Sequence, residues 1–494
     1  MNKPYKLSLF IFRRDLRLDD NTALNLALEK SEKVIPCFIF DPQQIDANKN
    51  DYYSANAVQF MIESLQQLAT NLTHYKSKLY LFYGKPKTTI QEIIDEKKID
   101  ALFFNTDYTP FSIKRDSTIE KICSKNNVAF YTCADALLNA PDTVLKKDRS
   151  PYSIFGAFYK NAKNIPVQKP QKLKSHNFFT ETINSSTPQS IYKKILPHMN
   201  KNIPYYALVL PPTHKAYTVA SYFAKATKDL RKAMVHKPKD MAEGLKATLK
   251  SLINFKNYAH ERDYPALETT HLSAHLKFGT ISVRQAYYAI TQHLKAHHPL
   301  LRQLYWRDFF THIAYHFPHV FGHPFHKKYE QLPWNNDKQL FTLWCTGQTG
   351  FPIVDAGMRE LNATGYMHNR VRMIVASFLT KDLHIDWKKG EKYFAQQLVD
   401  YDPAVNNGNW QWCASTGCDA QPYFRIFNPW LQQKKFDLEC LYIKKWVPEL
   451  KDYEPKIIHN LYKTNSPIIK NYLRPIVDHQ KESALAKALY KKCK

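Results

Sequence analysis

Two hydrophobic patterns divide the chain. Up to about residue 135, short, nearly continuous apolar runs alternate with amphipathic stretches. The runs are Leu7–Phe12, Val34–Phe40, Lys78–Tyr83, Ala101–Asn105 and Ala129–Cys133, rich in Phe, Ile, Leu and Tyr. Parallel strands covered on both faces have this character. Helical spacing falls between them, near Thr22–Lys30, Ser54–Ala69, Thr89–Lys97 and Ile113–Lys125, with Asn21 and Ser54 placed to cap. The alternation predicts a doubly wound parallel-sheet α/β domain over residues 1–135. No Gly-x-Gly occurs, so the dinucleotide fingerprint is absent. A ligand of this domain is expected at the carboxyl ends of the strands, near Arg13–Arg17, Asp41 or Asn105–Tyr108.

Residues 136–216 break the pattern. Pro141, Pro151, Pro166, Pro170, Pro188, Pro197, Pro204, Pro211 and Pro212 punctuate them, and Asn184-Ser185-Ser186-Thr187 is a loop cluster. They read as a long interdomain connection with one or two short helices. From about residue 217 strand patterns disappear. Helical periodicity recurs in Val219–Val235, Ala242–Phe255, Val283–His297, Leu301–His316, Ile353–Leu361, Arg370–Leu379, Trp387–Leu398 and Phe436–Trp446. Residues 217–494 are expected to form an all-α domain, with breaks at Gly347 to Pro352 and Gln421 to Pro429. No internal repeat or low-complexity segment appears.

Composition narrows the class. At 44% hydrophobic and 23% charged the chain is an ordinary globular protein of two or three domains. No apolar run is long enough for a membrane span, and Met1-Asn2-Lys3-Pro4 opens no signal peptide, so a cytoplasmic location is expected. The eight cysteines are scattered, without zinc spacing, and read as free thiols; no metal is expected. Seventy Lys and Arg against 44 Asp and Glu leave a net charge of +26. That surplus suits a polyanion partner, above all where basic and aromatic residues interleave, as in Tyr305-Trp306-Arg307 and Tyr423-Phe424-Arg425.

The candidate chemistry lies in the second half. All eight tryptophans fall between Trp306 and Trp446. The densest stretch is Asn406-Asn407-Gly408-Asn409-Trp410-Gln411-Trp412, with Asp400 and Asp402 just upstream. Hydrogen-bonding groups beside stacking, oxidisable indoles fit a bound aromatic cofactor, although Trp is also an ordinary core residue. In Gly350–Leu383 one helical face carries Asn369, Arg372 and Met373, with Arg370 turned aside. Arg372 can pair with one of the two aspartates.

These segments resemble the photolyase/cryptochrome flavoprotein family, most closely its class I cyclobutane pyrimidine dimer DNA photolyases. Phe12–Asn21, Trp306–Phe310, Gly365–Met373 and Asn406–Pro429 carry the likeness, which covers almost the whole chain. The resemblance implies FAD held in the helical domain. Light excites its reduced form, which injects an electron into a pyrimidine dimer flipped out of DNA. It assigns Tyr258, Thr269, Thr270, Leu272 and Ser273 to the FAD phosphate and ribityl region. Arg372, Asp400, Tyr401, Asp402 and Asn406 go to the flavin side, with Arg372 on Asp400 and Asn406 facing flavin N5. Trp410, Trp387 and Trp334 match an electron-hopping chain from flavin to surface. Trp306 and Trp412 match the pair that stacks on the dimer, with Gln303, Asn369 and Met373 beside it. Arg262, Arg307, Arg370, Arg425 and Gln432 match contacts to the DNA backbone.

Three positions depart from the family pattern. Gln303 stands where a Glu is usual, Leu300 replaces a Trp on the FAD side, and Thr109 replaces a Glu of the folate-antenna subgroup. A second, antenna chromophore is therefore open between deazaflavin, folate and none. Gln303 also occurs in (6-4) photoproduct enzymes, but those need a histidine pair where this chain has Asn369 and Met373. The resemblance implies a monomer that binds DNA containing pyrimidine dimers and repairs it. The alternative is a cryptochrome-like blue-light photoreceptor without repair. Against that stand Asn406 and the absence of a long tail after Leu450. A plain basic nucleic-acid-binding protein would leave Asp400, Asp402, Asn406 and the indoles unexplained.

Overall fold

The computed structural model describes residues 3–185, 252–267, 269–295 and 297–493. The described residues group into two compact units: those within 1–151, 157–256 and 271–315, and those within 152–156, 257–270 and 316–494. The boundary expected near residue 217, the helix Val219–Val235 and most of Ala242–Phe255 lie outside the described residues; Leu252–Phe255 is a 3-10 turn.

The first unit contains five parallel strands, β1 (Tyr5–Phe12), β2 (Ser31–Phe40), β3 (Tyr80–Tyr83), β4 (Ala101–Asn105) and β5 (Ala129–Cys133). Their order is β3-β2-β1-β4-β5. This is the doubly wound arrangement, reversing direction between β1 and β4. β1 is central, with Phe10 opposite Pro36 on one side and Phe103 on the other. Leu9, Ile35, Leu102 and Phe104 are fully buried in a core shared with the covering helices. The helices between strands run Thr22–Lys30, Ala55–Thr73, Pro86–Lys97 and Pro110–Lys125, and the side chains of Asn21 and Ser54 cap the first two. Thr109 caps the last through the Ser112 N–H, a structural task for one of the departures.

The N-terminal signature segment builds a polar lattice in this unit. At the switch point Asn105 donates to Asp15 at 2.5 Å and to Asn21 at 2.8 Å. Arg13 lies 3.5 Å from the Phe104 ring centroid and pairs with Asp116 at 2.8 Å. Asp135 receives Arg17 at 2.5 Å and Arg284 at 2.7 Å, and Arg284 also meets Asp20 at 3.0 Å. Burial would raise the Asp135 carboxyl, but the two guanidinium groups outweigh it and hold the group below the usual range. Arg284 belongs to the helix Val283–Leu294, so the lattice fastens the helices of residues 272–315 to the sheet within one unit.

In the described residues of the second unit the regular elements are helical. Its core gathers Trp344, Phe351, Val375, Phe378, Trp387, Phe394, Trp410 and Trp446. The helices Pro352–Thr364, Asn369–Lys381 and Trp387–Gln397 agree with the periodicity. Phe436–Trp446 is not one helix. Pro429–Phe436 ends, Cys440 turns into the left-handed region at φ 54°, and Leu441–Trp446 follows. Asp437 makes the break. Its carboxylate accepts the Tyr442 and Ile443 N–H groups at 3.0 and 2.9 Å, capping the second helix from its side chain.

Candidate flavin and DNA site

One helix, Pro403–Ala414, organises the richest motif. Asp402 caps it by accepting the Ala404 and Val405 N–H groups, and Pro403 occupies the first turn, where no N–H is needed. Its faces divide the labour. Asn407 donates to the Val320 carbonyl, and Gln411 bonds Val320, His323 and Phe325, so these two anchor a neighbouring loop. Asn406 and Trp410, one turn apart, share the face toward the helix Trp387–Gln397.

On that face Asn406 Nδ2 donates to the Glu391 carbonyl at 3.1 Å and its carboxylate at 3.0 Å. Both donors are committed, and Asn406 Oδ1 carries no hydrogen bond among the described residues. Trp410 packs edge-on against Phe394 at 5.0 Å and Trp344 at 6.1 Å. A Cβ at Gly390 would lie 2.2 Å from the Trp410 ring, so glycine is what allows the helix backbone this close. Trp387 is buried in the same core, and Trp334 packs at its margin, 6.4 Å from Tyr490 on the helix His479–Lys492. Trp344 donates its indole N–H to the Val375 carbonyl as a core residue.

A second group forms around Arg372. The helix Pro352–Thr364 ends at Gly365, φ 70°, whose carbonyl accepts the Val399 N–H at 2.8 Å. That bond brings the Asp400 loop beside the start of the helix Asn369–Lys381. Arg372 then meets Asp400 as a fork, Nη1 to Oδ1 at 3.3 Å and Nη2 to Oδ2 at 3.0 Å, while its Nε donates to the Met367 carbonyl. Burial opposes the Arg372 charge, but Asp400 outweighs it and raises the pKa. The guanidinium lies 5.4 Å from the Tyr366 ring, and the Tyr366 hydroxyl bonds Thr269 at 2.7 Å. Thr269, Tyr366, Arg372 and Asp400 are thus one group. Tyr366 and Glu391 were not singled out by the sequence; Tyr366 lies inside the Gly365–Met373 motif, whereas no pattern marks Glu391. Tyr401 is half-buried against the core. Thr270 follows Thr269, half-buried, and Tyr258 opens the short helix Tyr258–Glu261.

Residues expected at the DNA fall in both units. In the second, Asn369 is exposed and within 3.7 Å of the Met373 sulfur. Arg370 points elsewhere, to Asp263 at 2.7 Å. Trp412 is half-buried, Arg425 is exposed, and Gln432 is half-buried with Oε1 unpartnered. In the first unit the helix Pro299–His316 carries Gln303, Trp306 and Arg307. Gln303 donates back to the Pro299 carbonyl at 3.3 Å, and Trp306 stacks on Phe310 at 5.5 Å. Arg307 donates to the Ala136 and Leu276 carbonyls, so its guanidinium ties three segments together. Leu300 is buried in that helix. Leu272 and Ser273 are the first two residues of the helix Leu272–Phe278, which His271 leaves without a side-chain cap. No helix among the described residues is long and apolar enough to cross a membrane.

Comparison with known proteins agrees with this geometry. Residues 8–174 match the DNA photolyase family and residues 300–492 match the FAD binding domain of DNA photolyase. The deoxyribodipyrimidine photo-lyase of Synechococcus sp. is 37% identical over 505 residues, spanning 98% of this chain and 96% of its own. Among solved structures, the archaeal photolyase of Sulfolobus tokodaii, determined with two FAD molecules, is 42% identical at TM-score 0.81, covering 98% of this chain and all of its own. The class III photolyase of Agrobacterium tumefaciens is 31% identical at TM-score 0.84, covering 100% of this chain and 98% of its own. This chain belongs to the photolyase/cryptochrome family.

Proposed function

We propose that this chain is a deoxyribodipyrimidine photo-lyase that repairs cyclobutane pyrimidine dimers in DNA with FAD and blue light. The observation that carries the reading is the helix Pro403–Ala414, which aligns a buried amide, Asn406, with the indole of Trp410, next to the Arg372–Asp400 fork. The residues fit a flavin. Asn406 is a buried residue whose amide oxygen carries no hydrogen bond among the described residues, and Thr269, Tyr366, Arg372 and Asp400 form a second polar group in the same unit. When bound, reduced FAD supplies under blue light the electron that splits the cyclobutane ring.

The protein residues hold, orient and recharge. Asn406 would offer Oδ1 to the flavin ring, and the Arg372–Asp400 pair would hold a fixed dipole at its edge. Tyr258, Thr269 and Thr270 of the second unit would hold the phosphate and ribityl parts, a task the family resemblance also gives to Leu272 and Ser273 of the first. Tyr401 would pack beside the ring while Asp402 keeps the helix capped. Trp334, Trp387 and Trp410 would carry electrons inward from a surface donor. The family resemblance assigns Trp412, Asn369 and Met373 of the second unit, and separately Trp306 and Gln303 of the first, to the flipped dimer. Arg262, Arg370, Arg425 and Gln432 would contact the backbone, which positions the duplex without reading sequence. Arg307, assigned to backbone contact by the same resemblance, steadies the Trp306 helix within the first unit through the Ala136 and Leu276 carbonyls. The protein would act as a monomer in the cytoplasm.

The test is repair of ultraviolet-damaged plasmid by purified protein showing flavin absorption. Dimers should disappear under blue light and persist in the dark. A flavoprotein that photoreduces normally yet leaves every dimer intact would be the cryptochrome-like alternative.

A further inference from the structure

Two of the arginines assigned to the DNA backbone share one carboxylate. Asp263 Oδ2 lies 2.7 Å from Arg370 Nη2, and Asp263 Oδ1 lies 3.9 Å from Arg262 Nε. Each arginine also has an aromatic support. The Arg370 guanidinium lies 4.5 Å from the Phe436 ring centroid, and Arg262 lies 5.3 Å from that of Tyr258. Tyr264, the neighbour of Asp263, packs edge-on against Phe436 at 6.1 Å. Arg370 is therefore fixed by a carboxylate and a ring, with its buried Nε still lacking a hydrogen-bond partner. Asp263 and both arginines remain partly exposed, at 30%, 29% and 16% of the side chain for Asp263, Arg262 and Arg370.

An acidic group is out of place on a surface built for phosphate unless it does something there. Two effects follow from its position. Its charge reduces the pair of arginines from two net positive charges to one, which weakens attraction to any duplex. Its hydrogen bond also fixes the direction of the Arg370 fork. A fixed fork meets a phosphate only where the backbone brings one to it. A released arginine follows the backbone of any duplex, because its side chain is long and flexible. Undamaged DNA offers only backbone contacts, whereas a dimer turned out of the stack adds contacts of its own and reshapes the backbone around it. The carboxylate therefore penalises the unwanted complex more than the wanted one.

We propose that Asp263 is a specificity-determining residue for DNA binding, which bridges Arg262 and Arg370, damps their attraction for undamaged duplex and orients Arg370 for the backbone around a dimer. The proposal rests on the photolyase reading for the identity of the wanted duplex. The test uses the full, FAD-loaded chain. Equilibrium binding to one duplex, with and without a single thymine dimer, is measured across a salt series for wild type, Asp263→Asn and Asp263→Glu.

Asp263→Asn should bind undamaged duplex at least about threefold more tightly at low salt, with a salt slope steeper by about one phosphate contact. Its affinity for dimer duplex should change less, so the preference for damage falls. Asp263→Glu should keep the wild-type slope. The proposal is overturned if Asp263→Asn leaves slope and preference unchanged, or weakens both duplexes equally at constant slope, as a purely scaffolding residue would. A wild type without preference for dimer DNA would instead remove the photolyase reading, and the slope comparison would still decide whether Asp263 damps the two arginines.

Discussion

Asn406 and Glu391 are joined twice, through the Glu391 carbonyl at 3.1 Å and its carboxylate at 3.0 Å, both on the one amide nitrogen of Asn406. Two acceptors on the nitrogen fix which way the amide points. Its oxygen is thereby turned from Glu391 and left to accept. Glu391 sets the chemical face that Asn406 presents, although nothing in its sequence context announces it.

Replacing this carboxylate separates the two contacts. Glu391→Gln keeps an acceptor oxygen at the same reach and should retain the flavin with an unaltered visible band. Glu391→Leu keeps only the carbonyl contact, so the amide can turn. A hydrogen bond to a charged group is worth about 1.5–3 kcal/mol. FAD retention on gel filtration should fall, and the vibronic shape of the flavin band should change. A Leu variant with a wild-type spectrum and full retention would exclude the role given to Glu391.

The Arg372–Asp400 fork should behave as a coupled, part-buried pair. Arg372→Met leaves Asp400 without its partner, which should cost about 1–3 kcal/mol, less than for a fully buried pair because the Arg372 side chain is a quarter exposed. Asp400→Asn in the same chain removes the stranded charge and should recover a good part of that loss. Urea unfolding of the two single variants and the double variant gives the coupling directly. Additive losses would mean that the fork contributes nothing as a pair.

Gly390 and Trp334 test the electron route from opposite ends. Gly390→Ala drives a Cβ to within 2.2 Å of Trp410 and 2.5 Å of Leu379. Overpacking of this kind costs about 1–3 kcal/mol and should displace the indole. Both the melting temperature and the rate of flavin photoreduction should drop. Trp334 lies at the core margin, so Trp334→Phe should keep stability, FAD and, once chemically reduced, repair. It should lose most photoreduction by external donors. Normal photoreduction in Trp334→Phe would remove it from the route.

Asp308 gives a pH prediction. It is buried beside Arg307, accepts the Asn139 N–H at 3.0 Å with one oxygen and has no partner for the other. Burial pushes its carboxyl up to about 7, against the opposing effect of Arg307. The folded state therefore keeps a proton that the unfolded chain releases from about pH 4. Through this group stability is highest at low pH, falls as pH rises from about 4 to about 7, and is level above. A tenfold change in proton affinity is worth about 1.4 kcal/mol, so the full penalty is on the order of 4 kcal/mol. Asp308→Asn should gain on wild type across that window and most above pH 7. Parallel denaturation curves for the two proteins from about pH 5 to about pH 8 would contradict the assignment.

The fold was legible where one face or both faces of an element are buried. β1 to β4 stand out because their apolar runs are buried, β5 is a half-buried edge strand marked by Phe130, Tyr131 and Thr132, and Ala101–Asn105 and Ala129–Cys133 agree to the residue. The helix Pro403–Ala414 was not legible from periodicity. It buries Asn406, Asn407 and Gln411 as well as Trp410, so polar side chains stand where a hydrophobic stripe would be sought. The break at Asp437 escaped for a related reason, because one carboxylate capping a helix leaves the apolar spacing on either side intact. Within the candidate site, the Arg372–Asp400 pair could be anticipated from charge and motif. Glu391, Tyr366 and Asp263 act through contacts between segments distant in sequence, and such contacts leave no local pattern.

Repair itself is measured most directly on a defined duplex carrying one thymine dimer, bound by chemically reduced, FAD-loaded protein and exposed to blue light. Wild type should restore the thymines under light and not in the dark, despite Gln303 in place of the usual Glu. Gln303→Glu should change the yield by no more than about tenfold, equivalent to about 1.4 kcal/mol. A wild type that leaves the dimer intact while Gln303→Glu restores repair would contradict the repair function and mark the chain as a flavoprotein photoreceptor instead.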